Sequence, residues 1–417
     1  MITMSPYVLT MDRLNRYRQT MHQASLKTPR FPVSAHSFHS LYLKQQSWSI
    51  NTAMALTKLL EHNQDLLDAA LQLDSSKQNS AINSRNAVSS NPAAATVTAQ
   101  SKAKSDTYSL SISRLATSQT NQGFSLYSNA PSSFAPGHNT FQLTANGKEH
   151  SFTFYSSPYD TNKQGLNKMA QTINEQRIGV TAQVVNDQAT GKSQLVLTSD
   201  KTGTTSGFSL RDVEGNSVEV SGANLIHQQA QDASYKVNGT AYISGSNKVW
   251  IGDGKDVEVL LHKTTTEPVQ INVAPDRDKI IKSVKTFVHA VNNFLSFLGD
   301  QATTLAETLY RKWQRLFLSD TRGEALGLTR KTDGSFELDE EKLEAAIEED
   351  FASVEQTLGG TIGLGTKVRR EAERLQVSSL GSYSRSSLNQ NPYQTYMLPN
   401  LFYQQATAIG LLFNEAY

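Results

Sequence analysis

The sequence predicts an α+β protein. N- and C-terminal arms form a long, coiled-coil-like amphipathic helical leg, and β-rich head domains are inserted between them. Three observations carry this expectation. Apolar residues recur at helical spacing over residues 36–75 and again over 276–358. Between these stretches lie short alternating runs punctuated by turn residues, the pattern of half-buried strands. One of those turns is Asn146-Gly147, set between TFQLT and SFTFY, the strongest short-range hairpin signal a sequence offers.

Residues 1–35 form an atypical N-terminal segment, with a short helix expected over 9–21 that ends before Pro29 and Pro32. Residues 36–118 read as an N-terminal helical arm and connector. No Pro or Gly interrupts 36–75, and Leu59, Leu66 and Leu73 repeat by seven along one stripe, although the same series reads Thr52 and Gln45 further back. Residues 75–105 are dominated by Ser, Ala, Asn and Lys. With few large apolar side chains to offset ordering entropy, they read as an extended connector, before Tyr108, Leu110 and Ile112 alternate as a strand.

Residues 119–230 read as a small β-β-α-β-β module. Its helix is marked by Leu166, Met169 and Ile173, and its second strand pair by VTAQVV and SQLVLT. Residues 231–275 supply a second β region, with a boundary near Pro275. Residues 276–376 form the C-terminal helical arm. Ile280, Val284, Phe287, Val291, Phe294 and Leu298 alternate steps of four and three, a heptad seam that Leu305 continues. After a turn at 331–334, Asp339 stands where an N-cap belongs. Leu343, Ile347, Phe351, Val354 and Leu358 then continue at the spacing of a single helix, and another helix is expected at 366–376. Residues 377–417 are a short atypical tail. The leucine series and the heptad seam together are the expected packing or oligomer seam: helix against helix within one subunit, with leftover apolar surface joining neighbours.

Composition narrows the function. The 417 residues carry 39 basic and 38 acidic side chains, so no charge field marks a nucleic acid or an anionic membrane as partner. No run approaches the ~20 apolar residues of a membrane span. Cysteine is absent, which excludes disulfides, thiolate metal sites and a cysteine nucleophile. Arg13, Arg16 and Arg18 are followed by no apolar run, so a cleaved secretory signal is not expected.

Catalytic and metal chemistry find little support. His36 and His39 are spaced to share a metal but lack a third ligand one turn away. GGTIGLGTK (359–367) lacks the Gly-Lys-Ser/Thr ending of a phosphate loop and reads as a flexible turn. The acidic runs at 339–341 and 348–350 read as solvated helix faces, and Asp276 and Asp278 as favourable charge at a helix start. Trp48, Trp250 and Trp313 sit in apolar patterns that suggest core packing, with a sugar platform at Trp250 the sharper alternative. No nucleophile and base stand together, so no enzyme, cofactor or metal is expected.

Three ordered segments resemble the flagellar filament cap family. The first, residues 83–119, carries Ser89-Ser90-Asn91-Pro92 and Leu115-Ala116. The second, residues 140–210, carries Ile173-Asn174, the Gly-Val-Thr-Ala run at 179–182, Thr198-Ser199 and Gly203. The third carries Val237-Asn238-Gly239, Phe287-Val288, Asn292, Asp333-Gly334 and Leu338-Asp339. The resemblance spans about residues 45–375. It departs at both ends: residues 1–35 lack the family's Ser-Gly-Leu-Asp type opening, Val291 replaces a Tyr, and Pro392 and Pro399 interrupt the tail.

The resemblance implies an extracellular structural protein exported without a cleaved signal, whose copies form a homo-oligomeric ring at the growing filament tip. Its implied partners are flagellin, hook–filament junction proteins and an export chaperone, with neither nucleic acid nor membrane among them. The alternative is a surface adhesin or ligand-binding module that kept the family head, recognising ligands through loops such as 156–165 or 199–206.

Overall fold

The computed structural model describes residues 36–318 and 322–385, with the backbone alone over 36–49. The helix expected at 9–21, the tail beyond 385 and the side chains of His36, His39 and Trp48 lie outside the described residues. The chain divides into a unit built from both ends, up to Ser84 and from Pro275, and a second unit spanning Arg85–Ala274.

The first helix, α1 (His36–Leu71), runs unbroken, as the absence of Pro and Gly allows. The stretch from 75 to 105 is not a connector. A 3₁₀ turn buries Ala81, Ile82 and Asn83, and two strands follow, β1 (Arg85–Ser89) and β2 (Ala95–Ala99). Composition misled because Ala94, Ala95 and Ala103 are buried in a place where small side chains suffice. The backbone of β2, paired along its length with a later strand, supplies the rest of the stabilisation.

Next come β3 (Asp106–Arg114), β4 (Thr120–Gln122), β5 (Leu126–Tyr127), β6 (Gly137–Ala145) and β7 (Lys148–Ser156). Asn146 and Gly147 both take positive φ between β6 and β7, which gives the tight hairpin the pair encodes. Helix α2 (Asn162–Glu175) starts at a full capping box. Thr161 accepts from the Gln164 amide, and the Gln164 side chain accepts from the Thr161 amide at 2.8 Å. Then follow β8 (Val180–Asp187), β9 (Lys192–Ser199), β10 (Phe208–Glu214), the short α3 (Ser217–Ser221) and β11 (Ile226–Gln228). β6 lies between β10 and β7 in one sheet. β9 pairs with β4, β5 and β8 in another, and α2 packs on β7, β8 and β9. The core of this module is Phe141, Phe152, Leu143, Leu166, Met169, Ile173, Leu195 and Leu197, with the Phe141 and Phe152 rings stacked at 5.2 Å.

The other half of this unit is completed by β12 (Ala233–Val237), β13 (Thr240–Ser244), β14 (Lys248–Ile251), β15 (Val257–Leu261) and β16 (Val269–Pro275). A five-stranded sheet, β1-β16-β3-β12-β13, and a three-stranded one, β14-β15-β2, share one core that includes Leu110, Ile112, Val257, Val259 and Ile271. β3 sits at its centre, so residues before and after the inserted module build one domain together.

The rest of the chain returns to the first unit: α4 (Arg277–Asp300), α5 (Glu307–Leu318), α6 (Arg322–Ala325), hairpin β17 (Leu328–Arg330) and β18 (Phe336–Leu338), then α7 (Glu340–Glu349), α8 (Phe351–Gly359) and α9 (Leu364–Val377). Asp276 and Asp339 cap α4 and α7, accepting from the amides of Lys279 and Lys342 at 3.1 Å. The single helix expected over 343–358 is two. Asp350 breaks from helical geometry (φ −147°, ψ 78°) and caps α8 through the Ser353 amide, while the apolar spacing continues across the break. α1 packs against both α4 and α9, and α5 packs against α4 and α9, giving a bundle with one shared core.

Candidate assembly surfaces

All nine seam residues are buried in that single core: Leu59, Leu66, Leu73, Ile280, Val284, Phe287, Val291, Phe294 and Leu298. Their partners come from the same chain, including Trp313, whose ring meets Phe294 edge-on at 4.8 Å. Any surface that joins copies of this chain must therefore be made by other side chains.

Polar clamps fix the bundle. Asp74, 1% exposed, receives the Arg369 Nε at 2.5 Å, and Arg369 also donates to both Glu373 oxygens at 2.7 Å. Burial pushes the Asp74 carboxyl up, but hydrogen bonds from Ser76 and the Arg369 guanidinium outweigh it and hold the group below its ordinary value. Asn63 donates to the Ala372 carbonyl at 3.0 Å and ties α1 to α9. The glycine-rich run 359–367 is a close joint rather than a flexible turn. A Cβ on Gly359 would collide with the Leu73 carbonyl, and Ser75 donates through both its amide and its hydroxyl to the Gly359 carbonyl.

The motifs singled out in the sequence turn out to be the same kind of device. Asn174 donates to the Ala182 carbonyl and accepts from the Ala182 amide, both at 2.8 Å, so its side chain acts as an extra strand position against the Gly-Val-Thr-Ala run. Asn292 makes the same reciprocal pair with Phe336 at 2.8 Å. Asn238 and Gly239 take positive φ in the β12–β13 turn, and Asn238 accepts from the Ser109 amide. Asp333 accepts from Ser335 within the β17–β18 turn. Ala116 is held by Asn247, which accepts from its amide at 2.7 Å and donates to its carbonyl at 2.9 Å. Sequence reasoning missed Asn247 and Asn63, since a lone Asn carries no periodic signal. Through these bonds the asparagines spend side-chain amides on backbone groups and hold neighbouring segments in place.

The outward groups are of another kind. Tyr159 is 93% exposed on a turn pinned from beneath, where Asp160 accepts from Lys168 at 2.5 Å and from the Ser157 amide at 2.8 Å. Trp250 is not core. The strand places Val249 and Ile251 inward and leaves Trp250 38% exposed on the outer face, with the Lys248 ammonium 5.9 Å from its ring. Trp313 is fully buried. Phe124 and Leu225 line an open groove beside β10 and α3 together with Leu126, Leu210, Val218 and Val220. Among the described residues, no group of three or more His, Asp or Glu is placed to hold a metal ion, and no helix is long and apolar enough to cross a membrane. On the helical unit α7 exposes glutamates and α5 and α9 expose arginines and a lysine, while Ile50, Met54, Ile362 and Val377 are exposed apolar side chains.

Residues 39–119 match the family model described as flagellar hook-associated protein 2 N-terminus, and residues 230–316 match that of flagellar hook-associated protein 2 C-terminus. The A-type flagellar hook-associated protein 2 of Pseudomonas aeruginosa is 25% identical over 181 residues, 37% of this chain and 37% of that protein. The B-type protein of the same species is 27% identical over 165 residues, 34% and 35% of the two chains. The matched region thus spans little more than a third of these relatives. Among solved structures, the D1-D2-D3 domains of the flagellar cap protein FliD from Escherichia coli share the fold, with a TM-score of 0.61 at 21% identity over 78% of this chain and 96% of that one.

Proposed function

We propose that this chain, which carries the N- and C-terminal modules of the flagellar hook-associated protein 2 family, is a structural subunit of the cap at the distal tip of a bacterial flagellar filament. The observation that carries the reading is how the two matched segments interlock. The N-terminal match supplies α1, β2 and β3; the C-terminal match supplies α4, β12, β15 and β16. α1 packs on α4, β3 pairs with β12 and β16, and β2 pairs with β15. Two segments far apart in sequence make each domain jointly, and residues 120–229 form a module inserted between them.

In this reading several copies form a ring outside the cell. The helical unit, with α1 continuing as helix to His36, is the stem of a leg directed to the filament, and the β unit forms part of a plate. Exported flagellin folds and inserts in the space beneath. Shape and binding energy do the work, and no covalent bond is made or broken. The clamp role of the motif asparagines supports this, because it assigns the shared residues to rigidity. The partners in this reading are flagellin, hook–filament junction proteins and an export chaperone.

Deleting the gene is expected to abolish long filaments in electron micrographs and to raise flagellin monomer in the medium, with both reversed by the full-length gene. Normal filaments and unchanged free flagellin in the deletion strain would overturn the reading.

A further inference from the structure

The apolar seam is used up inside each subunit, and the charged surface that the helical unit keeps is divided by sign. Helix α7 presents Glu341, Ala345 and Glu349 at steps of four, all exposed. Its other glutamates are already engaged within the chain, Glu340 by Lys285 and Glu344 and Glu348 by Arg277. Glu341 and Glu349 have no ion-pair or hydrogen-bond partner among the described residues. Helix α9 presents Arg370, Arg374 and Val377 at i, i+4 and i+7, with Val377 86% exposed. Lys312 of α5 pairs with Glu371 of α9, which brings exposed Arg315, one turn further along α5, to the same basic side. Arg315 and Arg370 likewise have no partner among the described residues.

Within one subunit the two stripes are not joined: no ion pair links a glutamate of α7 to an arginine or lysine of α5 or α9 among the described residues. We propose that adjacent copies of this chain meet head to tail through their helical units, the glutamate stripe of α7 on one subunit lying against the arginine stripe of α9 and α5 on the next. The occupant is a second copy because the complementary charge is carried by this chain itself. Small Ala345 lets the facing helix approach, and Val377 offers an apolar end to the contact. Each subunit uses two different surfaces, so the contact is heterologous and closes into a ring when the rotation allows. The inference rests on the homo-oligomeric reading above and names the surface that makes it.

The test is charge exchange in the full-length chain, read by sedimentation over a concentration series. The acid-reversed variant carries Glu341→Arg and Glu349→Arg; the base-reversed variant carries Arg315→Glu and Arg370→Glu. Each alone is expected to need on the order of tenfold or more higher concentration to associate, since like charges then face each other. An equimolar mixture of the two is expected to associate at lower concentration than either alone, because opposite charges face at each contact between unlike copies. The variant with all four changes is expected to associate as wild type does, because there opposite charges face again at every contact. Wild-type association is expected to weaken between ~0.1 M and ~1 M salt, as the screening length shortens from ~10 Å to ~3 Å.

Reversed variants that associate like wild type would overturn this pairing and leave a ring built on other surfaces. A mixture no better than its components would overturn it as well. A wild-type chain that stays monomeric throughout would overturn the ring itself.

Discussion

Phe294→Ala is expected to lower the stability of the helical unit by about 3–5 kcal/mol, the usual cost of emptying a fully buried phenylalanine site. Phe294 has no exposed surface and meets Trp313 edge to face, so the cavity opens where α4 and α5 join. Helix α5 carries part of the basic stripe, which couples the loss to assembly. The measurement is urea unfolding followed by tryptophan fluorescence in a Trp48→Phe, Trp250→Phe background, which leaves Trp313 as the reporter, with the β unit followed by its strand signal, since two units need not unfold together. The first transition should move down by roughly 1–5 M, taking a typical urea slope of about 1–3 kcal/mol per molar. The second should stay in place. An unmoved first transition would contradict the assignment of Phe294 to the core of the bundle.

Arg369→Leu should be comparably harmful by a different route. It strands the Asp74 carboxylate, which is almost wholly out of solvent, and breaking one side of such a pair costs about 3–5 kcal/mol. Adding Asp74→Asn removes the orphaned charge, so the double variant should recover part of the loss. A double variant no better than Arg369→Leu would show that the pair is not what joins α9 to the end of α1. The sign of the pH dependence follows from the same contact. The Asp74 carboxyl is held below its ordinary value in the folded state. Its contribution is therefore full above the unfolded carboxylate range, about pH 4, and is lost as pH falls through the lower folded value. Asp74→Asn should flatten that acid-side decline.

Much of this architecture was legible in the residues. The heptad seam of α4 was plain because every core position is large and apolar, and the Asn146-Gly147 hairpin because its turn demands positive φ. β1 and β2 escaped because their neighbourhood is filled by alanine and held by backbone pairing, and hydrophobic periodicity reports on neither. The break at Asp350 was hidden by the unbroken spacing of Ile347, Phe351 and Val354, a case where one side-chain cap overrides a periodic signal. Gly359 and Gly365 looked permissive and prove restrictive, because the need for glycine there comes largely from Leu73 and Ser75, nearly three hundred residues away. The seam itself was readable; its confinement to one subunit depended on which helices close over α1. That information resides in the fold, and it shifts the search for assembly contacts from apolar stripes to charged ones.

The proposed place of this chain is the distal end of the filament. Immunogold labelling of intact cells with antibody against the purified full-length chain tests it most directly, using the deletion strain as control. Gold confined to filament tips, and absent from the deletion strain, is the predicted result. Gold spread over the cell surface or along the filament shaft, with bare tips, would contradict it.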